Sequence, residues 1–465
     1  MDRIKKLKIK KQDGTFSDYV PIGADAENID TTDGESVQLK LNKKPYYYNT
    51  VADMKADTKL KAGDMAITLG YYEPNDDGGA EYKIVSGTHT DDGGSYHALN
   101  NSLFAELIMK NNESNIKQWG CKGDSSFDNT TIFNKMMSSD YSSFIIPPGE
   151  FKILGDVFLK SNLVLKGTEK RSNIQIQPTG RFFYNPSQTK YLNVTFDNIT
   201  FRMNGERSTY AITLNDVSLC RLNNCVFRSD SGTSSFNGVI FRRNYNNDCY
   251  DNRILNCQFQ RACLVLENST DNWVVNNILW GNDLGETGAG LILNGNCGNS
   301  LIQGNHIING MKVITVQHNI RFVNNYFDGL GDHGIYGNGG FQISNIDNNV
   351  FFHNGDPINV SELSMTTVCN NIFDNCDSKD EGLYDVTVSG VQGGNTFSGN
   401  KHYRTDKYTR TNLTKPYNLA DGNINYPKTI ISNNTLAFPS FYQNQNSIDR
   451  VAFRDNYPDS YFPQS

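Results

Sequence analysis

One short pattern of polar and apolar positions recurs along most of the chain. An Asn or a Gly is followed by two variable residues and then by a large apolar residue, which we call the anchor. The anchors are Phe201, Phe227, Phe259, Leu279, Ile307, Phe327, Phe351, Phe373, Phe397 and Leu436. Successive anchors lie 26, 32, 20, 28, 20, 24, 22, 24 and 39 residues apart. This period is too short for helix-pair repeats and is typical of a solenoid of short parallel strands.

The fold class that this pattern predicts is all-β, a parallel β-helix. A single turn cannot bury enough apolar surface by itself, so stacked turns must share a continuous core of Phe, Ile, Val and Leu. The Asn of the pattern fits a tight bend, because Asn tolerates left-handed backbone and its amide can bond to the Asn of the next turn. We predict that the β-helix spans residues 113–436.

The segments outside the repeat predict smaller, β-rich pieces. Alternating stretches broken by Asp-Gly turns predict a small N-terminal β-rich arm over residues 1–44. Residues 45–112 predict a small β-rich module with a short helix near 53–60 and a strand near 63–70. The C-terminal residues 437–465 are rich in Phe and Tyr. They predict either a cap on the solenoid or a tail that packs against neighbouring chains.

A motif with several fixed parts precedes the repeat, over residues 118–155. Its parts are a turn at 120–124, helix caps at Asp128 and Asn129, and a strand that ends in Pro147-Pro148-Gly149. This order resembles the start of the pectate-lyase-like right-handed β-helix superfamily. The resemblance implies a right-handed solenoid whose open end is covered by a capping helix from residue 130 to about 137.

Two turn-rich stretches near the N-terminus indicate the biological context in which the chain works. They are Lys11-Gln-Asp-Gly-Thr-Phe16 and Leu69-Gly-Tyr-Tyr-Glu-Pro-Asn-Asp-Asp-Gly78. Both resemble segments of tail-spike and tail-appendage proteins of phages that infect Gram-positive bacteria. The resemblance implies a virion component that meets other virion proteins through its N-terminus and host cell-surface glycan or teichoic acid through its β-helix. It also implies a homotrimer, assembly in the host cytoplasm and action at the host cell surface.

Charge and composition argue against several kinds of ligand and of cellular location. The 465-residue chain has a net charge of −7 and a pI near 5.6, which argues against a nucleic-acid ligand because phosphate binding needs a basic face. No stretch approaches the ~18 consecutive apolar residues of a membrane span. The basic first residues lack the apolar stretch of a secretory signal. The nine Cys residues include no CxxC pair and are expected to be buried reduced thiols.

Candidate chemistry comes from polar residues that recur at one place in successive turns, because such side chains stack about 4.8 Å apart in a β-helix. Counting from the anchors gives the column Asp283, Lys312, Asp332, Asp356 and Asp377. The catalytic candidates in and around this column are Asp332, Asp356, His333, Asp283 and Glu286. The candidates for binding substrate are Lys312, Asp328, Tyr336, Trp280, Arg242 and Arg243. No spacing of residues typical of a metal site is present.

Several chemistries fit such a column. Carboxylates one turn apart suit a retaining glycosidase, and carboxylates two turns apart suit an inverting one. A lyase needs a base and a cation, so Ca²⁺ is a candidate cofactor for a lyase only. The leading hypothesis is therefore a depolymerase of host-surface polysaccharide or teichoic acid. The alternative is a non-catalytic adhesin or structural appendage, in which the Asp side chains only cap bends.

Overall fold

A computed structural model describes two compact units of the chain. The described residues are 6–7, 20–21, 45–109, 112–168, 172–184, 191–203, 205, 209–230, 238–244, 248–281, 288–329, 333–376, 384–403, 415–421, 429–436, 451–454 and 457–458. One unit comprises Met1–Asn112 and Ile116–Gly120, and the other comprises Glu113–Asn115 and Cys121–Ser465. Within the described residues, no helix is long and apolar enough to cross a membrane.

The described residues of the first unit include a five-stranded sheet and two short helices. The strands, in their order across the sheet, are Tyr46–Tyr48, Met65–Thr68, Glu81–Val85, Phe104–Leu107 and Tyr96–Ala98. The helices are the α-helix Val51–Ala56 and the 3-10 helix Ile116–Trp119, and Lys6–Leu7 pairs with Val20–Pro21 in antiparallel. Thr50 caps the α-helix, since its hydroxyl accepts the backbone N–H of Asp53 while the Asp53 carboxylate accepts the N–H of Thr50.

The second unit is a parallel β-helix, in which most described turns of the chain visit three sheets in the same order. The described strands of the first sheet are Ser114–Asn115, Ser143–Ile146, Val164–Gly167, Thr195–Asp197, Arg221–Asn223, Arg253–Leu255, Trp273–Val275, Leu301–Gln303, Arg321–Val323, Asn345–Asp347, Thr367–Cys369, Thr396–Ser398, Thr429–Ser432 and Val451–Arg454. Those of the second sheet are Asp124–Asp128, Gly149–Ile153, Ser172–Ile176, Thr200–Met203, Val226–Ser229, Gln258–Gln260, Ile278–Trp280, His306–Ile308, Tyr326–Asp328, Val350–Phe352, Ile372–Asp374, Lys401–Tyr403, Thr435–Leu436 and Tyr457–Pro458.

The third sheet has longer strands near its C-terminal end. Its described strands are Asp156–Phe158, Arg181–Tyr184, Ile212–Asn215, Gly238–Arg242, Cys263–Glu267, Leu291–Asn294, Met311–Val313, His333–Gln342, Asp356–Ser364, Tyr384–Gly393 and Lys415–Asp421, with Gln317–His318 beside His333–Gln342. Tyr191–Leu192 and Val217–Ser218 form a separate parallel pair. The strands Val451–Arg454 and Tyr457–Pro458 continue the first two sheets beyond residue 436, where the repeat pattern predicts the end of the solenoid.

Most of the anchors lie on one ladder of the second sheet, with their side chains in the core. Phe201, Phe227, Phe259, Leu279, Ile307, Phe327, Phe351 and Phe373 pair in that order and are fully buried. Neighbouring aromatic members stack face to face, as Phe351 does on Phe373 at 5.0 Å between ring centroids. The predicted fold class, an all-β parallel β-helix, is confirmed.

One anchor is wrong. Phe397 lies in the first sheet, and the position beside Phe373 belongs to His402 instead. The His402 ring stacks on Phe373 at 4.8 Å, and both ring nitrogens have partners: Nδ1 lies 2.6 Å from Asp385 Oδ2 and Nε2 lies 3.1 Å from the Tyr417 hydroxyl. A polar ring occupies the core because its nitrogens are satisfied there. A search for apolar residues could not find this position.

The repeated Asn residues have two separate roles. The first residue of the pattern has left-handed backbone, as in Asn324 (φ 59°), Asn348 (φ 56°) and Gly304 (φ 64°). The second residue carries the buried ladder formed by Asn277, Asn305, Asn325, Asn349, Asn371, Asn400 and Asn434. Each backbone N–H in this ladder donates to the side-chain oxygen of the next Asn. The sequence predicts that Asn adopts left-handed backbone and that it bonds to the Asn of the next turn. It does not show that these two roles belong to two different positions of the pattern.

The helix Thr130–Ser138 lies where the motif of residues 118–155 predicts it. Its first turn is capped by Asp128, whose Oδ1 accepts the backbone N–H of Thr130 at 3.0 Å. The Asn129 side chain does not cap the helix and instead bonds to the backbone of Lys122. Phe133 on the buried face meets the core ring of Phe182 edge-on at 5.8 Å.

The cysteines are free thiols, as predicted, and we expect them to resist labelling in the folded protein. All are buried except Cys369, which is partly buried, and burial raises the pKa of Cys263 to about 12 and that of Cys249 to about 11. Because the thiolate is the reactive form, a thiol reagent at pH 8 should react slowly with Cys369 and with the others only after unfolding. Titration with Ellman's reagent, with and without denaturant, measures this, and fast labelling of several thiols without denaturant would contradict it.

Candidate functional site

The outer face of the second sheet carries a group of aromatic and charged side chains, because residues on either side of each buried anchor point outward. We call this group the second-sheet cluster; it consists of Trp280, His306, Tyr326, Asp328 and Phe352. Trp280 and Asp328 share one ladder and are separated by Ile308, while His306 and Tyr326 pair on the ladder beside it. All five side chains are partly exposed.

A His–carboxylate pair lies at the centre of this cluster. His306 Nε2 is 3.3 Å from Asp328 Oδ2, and the two side chains are 39% and 31% exposed, so solvent and a ligand can reach them. The His306 ring meets Tyr326 edge-on at 5.1 Å, and Tyr326 stacks against Phe352 at 6.3 Å. Burial, together with the negative charges of Asp328 and Asp374, raises the pKa of Tyr326, which therefore stays protonated and able to donate a hydrogen bond.

A second group lies at the start of the strands of the third sheet. We call it the third-sheet cluster; it consists of Lys312, His333, Tyr336, Asp356 and Asn359. His333 and Asp356 are paired across neighbouring strands, with 3.8 Å between Nδ1 and Oδ2, and Asn359 donates a hydrogen bond of 3.1 Å to Asp356 Oδ2. Tyr336 lies 4.5 Å from the His333 ring, and Lys312 Nζ lies 5.9 Å from the centre of the Tyr336 ring.

Short connections join the two clusters. The chain passes from the second sheet to the third through 309–310, 329–332 and 353–355 in these three turns, whereas the turns before and after use the longer connections 281–290 and 375–383. Asp328 and His333 therefore lie at opposite ends of one short connection, and Phe352 and Asp356 lie at the ends of the next. Both clusters thus occupy the same stretch of the solenoid, between two longer connections.

The outer face of the third sheet is already covered in the preceding turns. Ile240 and Val265 point outward on successive strands, yet they are only 1% and 3% exposed, and Tyr210 and Ile292 pack against them. This small outer core covers the sheet before the turn that contains Lys312. On the following strands of this face Lys312 and Asn359 are partly exposed, while Tyr336 between them is buried.

The structure brings together some of the predicted site residues and places others elsewhere. Lys312, His333, Tyr336 and Asp356 form one cluster, and Trp280 and Asp328 belong to the other. Arg242 pairs with Glu267 at 2.8 Å on earlier strands of the third sheet, and Arg243 follows it at the strand end. Asp283, Glu286, Asp332 and Asp377 lie outside the described residues.

Lys312 and Asp356 do not lie on one ladder, as the predicted charge column requires. Lys312 pairs with Tyr336, which pairs with Asn359, whereas Asp356 pairs with His333. The column assumes that each third-sheet position lies at a fixed distance after the anchor. The connections between the two sheets differ in length, so the same count from the anchor reaches different ladder positions in different turns.

His306 is absent from the sequence candidates, although it pairs directly with Asp328. The signal for it is local: His306 immediately precedes the anchor Ile307, and Asp328 immediately follows the anchor Phe327. Residues one place before and after an anchor point away from the core, so a comparison of these two positions across turns would have found the pair.

The arrangement supplies the parts of an acid–base site next to aromatic side chains. A His beside a carboxylate can take up or release a proton near neutral pH, and the carboxylate orients the ring. Aromatic rings offer flat apolar faces with polar edges, which suit contact with the apolar face of a sugar ring. In the described part of the chain, no group of three or more His, Cys, Asp or Glu side chains is placed to hold a metal ion.

The fold and this surface define a parallel β-helix protein with an exposed polar and aromatic face. No protein-family model and no curated protein matches the sequence. Among solved structures, the chain is similar to the tailspike protein gp49 of Acinetobacter baumannii bacteriophage Fri1, a capsular polysaccharide depolymerase. The TM-score is 0.53 and the identity 14%, over 89% of this chain and 74% of that one.

Two further structures share the architecture less closely. The tailspike protein of Acinetobacter baumannii phage AM24 has a TM-score of 0.45 and 12% identity, over 94% of this chain and 69% of that one. The surface adhesin PfbA of Streptococcus pneumoniae has a TM-score of 0.42 and 13% identity, over 74% of this chain and 90% of that one. At such identities the likeness to gp49 establishes a shared fold, and function has to be argued from the site.

Proposed function

We propose that this chain binds a polysaccharide of the host-cell surface and cleaves it at the second-sheet and third-sheet clusters, as part of a phage tail spike or appendage. The observation that carries this proposal is the joint placement of two His–carboxylate pairs, His306–Asp328 beside partly exposed aromatic rings and His333–Asp356 beside the buried ring of Tyr336. The pairs lie on either side of short connections, and the proposal requires a single bound glycan to reach both.

The two pairs suit different tasks. Asp356 is only 12% exposed at its side chain and accepts a hydrogen bond from Asn359, which fits a carboxylate that orients His333 as the proton-transferring group. Asp328 is more exposed and faces the same side as Trp280, which fits direct contact with a sugar at the cleaved bond. Asp332, next to His333 in the chain, remains a further candidate from the sequence.

We propose the phage context from the sequence resemblance together with the shared fold. A tail spike would attach to other virion proteins through its N-terminal arm, residues 1–44, and would assemble in the host cytoplasm as a homotrimer. A Gram-positive host, and teichoic acid as a target, rest on the N-terminal sequence stretches alone, since the tailspikes compared above come from Acinetobacter phages. Ca²⁺ would take part only if the reaction is that of a lyase.

A non-catalytic adhesin is the second candidate, and one distance favours it. His333 Nδ1 and Asp356 Oδ2 are 3.8 Å apart, which is longer than a hydrogen bond, so the pair is not held in a proton-transfer geometry before substrate binds. The aromatic and amide groups of the surface would suffice for binding alone.

The test is an assay of the purified protein with cell-wall glycans, teichoic acids and exopolysaccharides. Reducing ends report a hydrolase, ultraviolet absorbance of unsaturated uronates reports a lyase, and released phosphate reports cleavage of teichoic acid. We expect one of these signals to rise with time. Retention of a polymer by the protein without any product would replace the depolymerase with the adhesin, and the absence of both would overturn the proposal.

Removing the Trp280 ring should weaken binding of the polymer. The indole is partly exposed beside the His306–Asp328 pair, with the Arg261 guanidinium 5.6 Å from its centre. Loss of one aromatic contact is worth about 1 kcal/mol, so Trp280→Ala should reduce affinity roughly five- to tenfold. Trp273→Ala is a matched control, because Trp273 is equally outward-facing and lies 5.2 Å from Arg253, but on the first sheet. Equal effects of the two variants in a binding assay would contradict the assignment of Trp280.

A further inference from the structure

A groove lies on the outer face of the second sheet, in turns that precede the second-sheet cluster. It has a volume of about 820 Å³, and its outward-facing lining includes Asn173, Thr200, Arg202, Arg228, Gln258 and Gln260. We call it the second-sheet groove. Arg202, Arg228, Gln260 and Trp280 occupy successive positions on one ladder, so the groove leads along the solenoid directly to Trp280. It contains neither of the two His–carboxylate pairs and lies outside the site described above.

The charged groups of the groove are paired with one another. Arg202 bridges two carboxylates, with 2.8 Å to Glu150 and 3.0 Å to Asp230, and Arg228 lies 3.1 Å from the other oxygen of Asp230. Two guanidinium groups are thus matched by two carboxylates. An acidic ligand would meet the like charges of Glu150 and Asp230 beside these two arginines.

Two neutral amides of the groove are hydrogen-bonded to each other. Gln260 Nε2 donates a hydrogen bond of 3.1 Å to Gln258 Oε1, which fixes both amides on the same strand. This leaves the Gln258 amide nitrogen as a donor and the Gln260 amide oxygen as an acceptor on the exposed surface. Such a donor–acceptor pair matches two neighbouring hydroxyls of a sugar, and its fixed geometry lowers the entropy lost on binding.

The spacing of the groove also suits a linear polymer. Outward side chains on one ladder repeat about every 4.8 Å, which is close to the length of a single sugar ring in an extended chain. Thr200, Val226 and Gln258 provide one such row, and Arg202, Arg228 and Gln260 provide the other. A ligand lying along the solenoid would thus meet one pair of side chains for each sugar.

We infer that the second-sheet groove is a separate binding site for a neutral, hydroxyl-rich segment of a glycan, which it holds while the adjoining segment passes over Trp280 to the His–carboxylate pairs. The inference rests on the proposed function for the direction in which the glycan runs. It adds that the recognised segment carries no acidic groups, because both arginines among the described residues of the groove are already paired with carboxylates.

The test uses the full-length chain and an array of neutral and acidic oligosaccharides. Thr200→Trp places a large ring in the groove on an outward-facing, half-buried position of the strand. Thr195→Trp is the matched control, since Thr195 is also half-buried, also precedes a buried Phe, and faces outward on the first sheet of the same turn. Gln260→Ala is a second, milder variant that removes one half of the amide pair. Circular dichroism checks that each variant is folded.

We expect wild type and Thr195→Trp to bind neutral oligosaccharides, and Thr200→Trp to bind them at least tenfold more weakly, with a smaller loss in Gln260→Ala. Binding only of acidic oligosaccharides, or binding of neutral ones that Thr200→Trp and Gln260→Ala leave unchanged, would overturn this inference and leave the proposed glycan-binding function intact. Failure of wild type to bind any glycan on the array or in the cleavage assay would overturn both.

Discussion

Replacing Asp356 by Asn should reduce cleavage of the polysaccharide by a factor of about 100 or more, the usual contribution of a positioned acid or base. The carboxylate lies 3.8 Å from His333 Nδ1 and is largely shielded from solvent, so closing of this distance around a bound substrate would let it orient the ring for proton transfer. Asn has nearly the same shape and can still accept the hydrogen bond from Asn359. Folding and binding of the polymer should therefore be retained while the rate falls.

The measurement is the initial rate of product formation by Asp356→Asn beside wild type. Asp328→Asn and Asp332→Asn belong in the same series, because both carboxylates remain candidates for direct contact with the cleaved bond. Asp197→Asn is the control: Asp197 lies on the outer face of the first sheet, where it accepts a hydrogen bond of 2.9 Å from Asn223. Full activity of Asp356→Asn would remove the third-sheet cluster from the mechanism. A similar loss in Asp197→Asn would indicate a general effect on stability.

Replacing Asn349 by Ala in the middle of the Asn ladder should cause a large loss of stability. The Asn349 side chain is fully buried; its oxygen accepts from the backbone N–H and the amide of Asn325, and its nitrogen donates to Phe322 and Asn371. Ala would leave at least the Asn325 N–H and the Phe322 carbonyl buried without these partners. At roughly 1–3 kcal/mol for each orphaned group, the loss should be about 3 kcal/mol or more.

The adjacent residue provides the control for this prediction. Asn348 is exposed and has left-handed backbone (φ 56°), so Asn348→Gly keeps the conformation that the bend requires and should change stability by less than about 1 kcal/mol. Denaturation midpoints of the two variants, together with hydrogen exchange of the amides in the neighbouring turns, measure the difference. Equal midpoints would show that the buried ladder does not contribute to cohesion between turns.

The sequence predicts the fold well because the same physical requirement is repeated in every turn. An apolar residue must enter the core three places after a bend that needs Asn or Gly, and this pattern survives changes in loop length between turns. The prediction fails at Phe397 because one turn meets this requirement with a polar residue. The core accepts His402 only because Asp385 and Tyr417 bind its two nitrogens, and these partners come from other strands.

The candidate site was less predictable because it depends on register between strands. Trp280 and Asp328 each lie one residue after an anchor, so their outward direction follows from the sequence once the anchors are known. The neighbours of Lys312 and Asp356 depend on how many residues the chain uses to pass from the second sheet to the third. That number changes from turn to turn, and a change of one residue moves a side chain to the other face of a strand.

The sequence by itself determined that this chain is a parallel β-helix with Asn-lined bends, buried thiols and a moderately acidic overall charge, because each property follows from local periodicity or composition. Only the tertiary structure decided that His306 lies beside Asp328, that Lys312 lies over Tyr336 instead of in line with Asp356, and that Arg202 is held between Glu150 and Asp230. These partners are separated in the chain by whole turns. The hydrogen bonds between neighbouring strands, together with the length of each connection, bring them together.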